Sequence, residues 1–412
     1  MTSIITNASV ALITGLNVTN IQSLGVTDIQ ALTNSQAAAL TATQLNAITS
    51  TDIAALSANQ VSSFSISAIS GLTLSQISQL ATQNYTEDFT ATQTGALSAT
   101  NLNSLTSTEL QSLTSTQLTG LTATKIGSLA VTTLENLTST QLNGFSTTQI
   151  QGLTAAQLNN GLMADLTAAV SDLTSTQVSG LNATTASGLT TTQFGDLTAT
   201  QIGGLTSTAL NNLGATNLAA LGASSTDLAA LTATQIGGAS TTALDALTST
   251  ALNTLTATQV HGLTASQLNG GLIANSDLVS ALANLTATQA SGLNATTAAA
   301  LTTTQFGDLA TTQVDGLSGT AINALTATNL ASLTSTEIGG LTAAQVGALS
   351  STNFASLATT TYIPSISKTA ISGITTADLT ALTSTQALAF NATQVDAMST
   401  AQFNALVAAS EA

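Results

Sequence analysis

Cysteine is absent from the 412 residues, so neither a disulfide framework nor a thiolate metal site is available. Basic side chains are nearly absent too: Lys125 and Lys368 stand against eighteen acids, for a net charge of −16. Two lysines cannot make the basic track that nucleic acid requires, nor the patch that holds a protein to an anionic membrane surface. No stretch approaches the roughly 20 apolar residues needed to span a bilayer, so membrane insertion is not expected. Histidine occurs once, as His261, and no nucleophile elbow of the GxSxG type is present. The opening MTSIITNASVALITGL lacks a basic segment and a clear apolar core and does not read as a Sec signal peptide.

What fills the chain instead is one phrase. From Leu105 to Leu153 it runs LTSTELQS, LTSTQLTG, LTATKIGS, LAVTTLEN, LTSTQLNG, FSTTQIQG. Position one of this octad is Leu, two is Thr, five is Gln or a relative, six is Leu, Ile or Val, and eight is small. Thr followed three residues later by Gln or Glu has the spacing of a capping box, as in Thr106 with Glu109, Thr114 with Gln117 and Thr138 with Gln141. With Thr106 as the cap, Leu105 and Leu110 occupy the two positions of a hydrophobic staple. Both devices predict a helix starting at the same Thr. Gly120, Gly144 and Gly152 at position eight are expected to end these helices in the left-handed conformation.

The alternative is an all-β solenoid with Thr-x-Thr strands, in which LTATQ is a short strand and Asn143-Gly144 a turn. An unbroken strand, however, would aim positions one and six at opposite faces. Leu far outnumbers Val and Ile at the apolar positions, and aromatics are only 2% of the chain. These preferences favour an all-α solenoid of short capped turns. A lone octad buries two aliphatic side chains, far less than ordering eight residues costs, so each must stack on neighbours. The expectation is one elongated body with a continuous apolar seam.

Residues 1–80 keep the octad through Leu16, Leu24, Leu32, Leu40, Ile48, Leu56, Phe64, Leu72 and Leu80. An irregular break follows at 81–96, where Tyr85, Glu87 and Asp88 suggest a bulged turn. The central solenoid spans 97–357, with inserts near 159–172 and 269–284. Around them a longer repeat appears: LNATTASGLTTTQFGDL from Leu181 returns as LNATTAAALTTTQFGDL from Leu293, 112 residues later. In the helical reading the inserts are longer helices marking a corner or contact surface; otherwise they are tolerated insertions. Residues 358–412 resume the octad after a break that holds Tyr362 and the single proline, Pro364, where a kink or change of partner is expected. The tail from Ala408 to Ala412 is expected to fray or to act as an uncleaved export signal.

Chemistry by acid and base needs convergent titratable groups, and here the acids are spread over separate octads. No catalytic residue, cofactor site or metal site is therefore assigned. His261 reads as a solvent-facing substitution at position seven. Asp196 and Asp308, at equivalent points of the 112-residue repeat, give one acid per block, too few for a calcium cage, and Glu87 with Asp88 is the only acidic cluster open to weak calcium binding. Asn7, Asn84, Asn136, Asn182, Asn284, Asn294 and Asn391 begin Asn-X-Ser/Thr triplets that matter only where a glycosylation system acts.

The octad LTxTQ[LIV]xx resembles the Leu-Thr-rich tandem repeats of large secreted or surface proteins of Gram-negative bacteria, of the adhesin, S-layer or type I secretion substrate kind. MTSIITNAS separately resembles, over about nine residues, the opening of alphaproteobacterial flagellins. The resemblance implies an extracellular or cell-surface protein exported without a cleaved Sec signal, by type I secretion. The function expected is structural and non-enzymatic: self-assembly into a filament, lattice or adhesive matrix, as a homo-oligomer or polymer formed by stacking of repeats. Two alternatives stand beside it, a ligand-binding adhesin using the inserts for a surface or glycan target and an ice-binding protein using Thr-x-Thr ranks.

Overall fold

The computed structural model describes residues 3–275 and 277–412. They pack as two compact units, Met1–Leu205 and Thr206–Ala412, and each contains one of the two inserts. Both are helical repeat solenoids, and among the described residues there is no strand, which removes the all-β alternative. Most helices have four to six residues, such as Ser115–Leu118, Ser139–Asn143 and Ser107–Ser112. Helices this short do not persist alone in water. Their stability comes from local caps and from the coils above and below.

The caps sit where the Thr-x-x-Gln spacing puts them. Thr114 Oγ1 accepts from Gln117 N–H at 3.2 Å while Gln117 Oε1 accepts from Thr114 N–H at 2.7 Å. Thr106 with Glu109 and Thr138 with Gln141 close the same reciprocal pair. The staple positions are buried: every position-one and position-six side chain from Leu105 to Leu153 is at most 6% exposed.

Stacking follows a simple rule. In the first unit Val10–Thr14 packs on Asn34–Ala39, Val18–Gln22 on Ala42–Ala47, and Val26–Gln30 on Ser50–Ile53, each helix meeting the third one after it. In the second unit Ala295–Ala300 meets Gly319–Ala324, which in turn meets Ala343–Gly347. Three helices therefore complete one coil, and the apolar side chains of successive coils form the core.

The position-eight glycines do not have the left-handed conformation expected of them. Gly144 ends its helix at φ −88°, and the only described glycines at positive φ are Gly161 and Gly271. Several helices end instead because the next position-one Leu turns extended, as Leu113 does at φ −63°, ψ 127°, a conformation open to any residue. What Gly120 and Gly152 supply is room. A β-carbon on Gly120 would overlap the Ala91 backbone, and one on Gly152 the Ala123 backbone, in the coil behind.

The inserts are not longer helices. Ala155–Gln157 runs into a π-turn, Leu158–Leu162, which breaks at Gly161 (φ +120°) and is followed by the short Met163–Asp165 and the 3-10 turn Ala168–Asp172. The second insert repeats the π-turn at Leu268–Leu272 with Gly271 at φ +134°, and the 3-10 turn at Ser280–Asn284. Glycine is required at these two positions, because a β-carbon strains that region of backbone space. The break after Leu80 is a bulged turn: Leu74–Thr82 is followed by Asn84 at φ +62° and the 3-10 turn Tyr85–Asp88. Pro364 lies within the 3-10 turn Ile363–Ser365 and changes no partner, since Gln394 still reaches Ile363 and Ile366 at the ordinary intervals of 31 and 28 residues. Nor does the tail fray from Ala408: Thr400–Ser410 is one helix, with Ala409 buried.

Candidate functional site

The side chain with the most work to do is the position-five Gln. Its oxygen closes the capping box, and its Nε2 donates backwards to two main-chain carbonyls of the preceding coil. Gln117 reaches Thr86 O and Phe89 O, both at 2.9 Å; Gln141 reaches Leu110 O at 3.0 Å and Leu113 O at 2.7 Å; Gln149 reaches Leu118 O at 2.7 Å and Leu121 O at 2.8 Å. The separations are 31 and 28 residues each time. The position-six carbonyl also accepts the N–H three residues on, as Leu118 O does from Leu121 N–H at 3.0 Å, while the position-one carbonyl past the helix end depends on the buried amide. Substitutes confirm what is needed. Lys125 Nζ donates to Leu97 O, Asn101 to Leu72 O at 3.0 Å, and Asn329 to Leu301 O at 2.9 Å.

Sequence reasoning found the box but missed this second bond, and a signal for it exists. A capping box accepts Glu as readily as Gln, whereas this chain uses Gln at position five far more often than Glu. A carboxylate has no hydrogen to donate. Glu109 and Glu337 keep the box, through Thr106 N–H at 2.7 Å and Thr334 N–H at 2.7 Å, and are only half-buried.

A second amide clamps the inserts. Asn143 Nδ2 donates to Asp165 O at 3.0 Å, and its Oδ1 accepts from Thr167 N–H at 2.9 Å and Ala169 N–H at 3.3 Å. Asn253 does the same for the second insert, through Asp277 O at 2.9 Å, Val279 N–H at 2.7 Å and Ala281 N–H at 3.3 Å.

The residues weighed for chemistry stay apart. His261 is exposed on the last turn of Ala257–Gly262. Asp196 and Asp308 are exposed directly after Thr191–Gly195 and Thr303–Gly307, and Glu87 and Asp88 are exposed on Tyr85–Asp88. Among the described residues no three His, Cys, Asp or Glu side chains gather. Of the triplet asparagines, Asn182, Asn294 and Asn391 are helix caps, accepting from Thr185, Thr297 and Gln394 N–H.

Three carboxyls are tuned. The Ser3 hydroxyl, helped by the Ile4 and Gly25 N–H groups and opposed by partial burial, holds Asp28 below its ordinary value. Burial, then the charge of Asp245, pushes Asp277 up; burial, then Glu337, does the same to Asp315, whose Oδ1 is enclosed without a partner.

An open depression of about 440 Å³ is bordered by Ile66, Ala91, Thr92, Gly95 and Gly120, and two hollows are smaller. A hollow of about 170 Å³ opens at the first insert between Leu158, Gly161, Met163, Thr184 and Gly188. Another of about 170 Å³ lies among the first helices, bordered by Ile4, Ala8, Leu12, Leu16, Asn20 and Leu24. Both fall below the size usual for a drug-sized ligand. No helix of the described residues is long and apolar enough to cross a membrane. No known protein family matches the chain, and no curated protein does either.

Proposed function

We propose that this chain is a non-enzymatic structural protein of the bacterial exterior, a solenoid of eight-residue units with three units to the coil, whose role is to assemble with copies of itself. The carrying observation is the placement of its uncovered apolar side chains. Of the ten exposed large apolar residues among those described, five lie between Ile4 and Val26 and three between Leu388 and Val407. The rest of the surface is mostly hydroxyl and amide, rich in hydrogen-bonding groups and poor in charge, which suits lateral packing. Lack of cysteine and scarcity of lysine fit a secreted protein, with type I secretion as the proposed route.

Light scattering over a concentration series, with electron microscopy of the same samples, tests the reading. Growth into filaments or sheets is the expected result; a chain that stays monomeric at high concentration overturns it.

A second reading places an adhesive contact at the first insert, favoured by the hollow beside Gly161. Deleting residues 161–172 would then abolish adhesion while circular dichroism stays helical. The ice-binding reading needs flat ranks of free Thr hydroxyls, and the position-two hydroxyls are taken as helix caps.

A further inference from the structure

We infer that the self-contact is head to tail, with the face formed by Ile4, Leu12 and Asn20 receiving the Phe403 face of the last helix, Thr400–Ser410, from a second copy. This rests on the self-assembly reading and names its surface.

In the interior coils the position-five side chain points back to the coil behind and bonds its carbonyls. Asn34–Ala39 already does so, through Gln36 Nε2 to Ala8 O at 2.8 Å. In the two helices before that coil the same register holds Leu12 and Asn20, which are exposed, Leu12 by 58%. Asp28, third in this row, is occupied by Ser3 Oγ at 2.7 Å and Ile4 N–H at 3.0 Å, which bring Ile4, 79% exposed, onto the same face. The hollow of about 170 Å³ lies between these side chains. An apolar side chain thus stands where a coil-facing amide belongs, so the face continues the surface by which every coil meets its predecessor.

The last helix offers the complement. Gln402 bonds Ile371 O at 2.8 Å and Ile374 O at 2.7 Å in the coil behind, leaving Phe403 and Val407 44% and 36% exposed one turn apart, with Leu388 nearby in sequence at 74%. The head also carries little of the chain's net charge of −16, since Asp28 is the only acid before Asp52, which lowers the repulsion a second copy meets there. A contact between two different surfaces leaves one of each free on the pair, so it propagates, into an open filament or, where the rotation closes, a ring.

Leu12 is the third residue of Val10–Thr14, where Glu is favoured and would complete a box with the Ser9 cap, so Leu12→Glu leaves the helix intact. The paired variant is Phe403→Glu. Each alone is expected to raise the concentration for assembly by at least about tenfold with helical dichroism unchanged. Mixed in equal amounts they should form dimers and stop there, because Leu12→Glu keeps a working tail and Phe403→Glu a working head. Assembly of Leu12→Glu at the wild-type concentration overturns the inference and leaves the self-assembly reading standing. A monomeric wild type overturns the reading itself. Dimers of Phe403→Glu alone would mean head-to-head contact and also overturn the assignment. Should either Glu variant unfold, Leu12→Ser and Phe403→Ser carry the same test.

Discussion

The stretch from Leu105 to Leu153 and the insert that follows it solve one problem with different amounts of chain. In the regular stretch Gln149 reaches back 28 residues to Leu121 O; across the insert Gln177 reaches Leu153 O in 24, at 2.7 Å, and in the second unit Gln289 reaches Leu263 O in 26. Coil length varies while the amide-to-carbonyl contact does not. What the architecture holds fixed is the meeting of a donor with the carbonyls at the helix ends of the coil behind. The π-turn, the positive-φ glycine and the Asn143 clamp absorb the missing residues.

If that is right, the amide costs the same to lose in both regions. Gln149→Glu keeps the acceptor for Ser146 N–H but replaces the donor with a carboxylate facing Leu118 O and Leu121 O in a site only 4% exposed. Leu121 O loses its donor, Leu118 O keeps only the Leu121 N–H at 3.0 Å, and a charge is left uncompensated beside both, for about 3 to 5 kcal/mol. Gln177→Glu, facing Ile150 O and Leu153 O, should match it within about 1 kcal/mol. Urea unfolding of both variants checks this. A much smaller loss for Gln177 would mean that the shortened coil is loosely held and the comparison fails.

A narrower test removes only the device that shapes the insert. Asn143→Ala strips the acceptor from Thr167 N–H and Ala169 N–H and the donor from Asp165 O. The expected loss is about 1 to 3 kcal/mol, with faster amide exchange at Thr167 and Ala169 and unchanged exchange near Leu113. Uniform acceleration along the first unit would show that Asn143 supports the whole stack.

The contrast between these regions also separates what the sequence reveals from what it hides. Thr106, Leu105 and Leu110 were legible because caps and staples are local, and each is decided within a few residues. The second role of Gln141 was hidden because its partners lie 31 and 28 residues away, a distance set by how many helices complete a coil. The same ignorance misassigned Gly120, whose neighbour Ala91 comes from the coil behind. Asn143-Gly144 had the look of a turn, yet Asn143 braces backbone more than twenty residues ahead. Local rules placed the helices, and only the three-helix coil explains the residues between them.

Acid should act oppositely on the two units. Asp315 and Asp277 have folded-state pKa values raised above their unfolded ones, so their charged forms destabilise the second unit at neutral pH. That penalty is relieved as pH falls through the raised values and is gone below the unfolded value near 3.8. Asp28 is lowered, so its contribution holds above the unfolded value and is lost as pH falls through the folded one. Hydrogen exchange at pH 7 and pH 4 should show slower opening around Glu337 in acid, and faster opening near Ile4 only at still lower pH. Asp315→Asn is expected to stabilise the second unit at pH 7 and to remove part of its gain in acid.

The smallest effect comes from glycines that no neighbouring coil approaches. Gly195 and Gly307 sit at equivalent points of the 112-residue repeat, each as the last helical residue before Asp196 or Asp308, and a β-carbon at either would have no heavy atom within 4 Å beyond its own helix and adjacent residues. Both lie in right-handed helix, where Gly costs backbone entropy and supplies nothing that Ala lacks. Gly195→Ala and Gly307→Ala should each stabilise by about 0.5 to 1 kcal/mol, one reporting on each unit. Equal gains in thermal midpoint would show that the two copies of the block sit in the same surroundings. A loss at one of them would place an unseen neighbour against that helix end, and an approaching copy of the chain is the first candidate to look for.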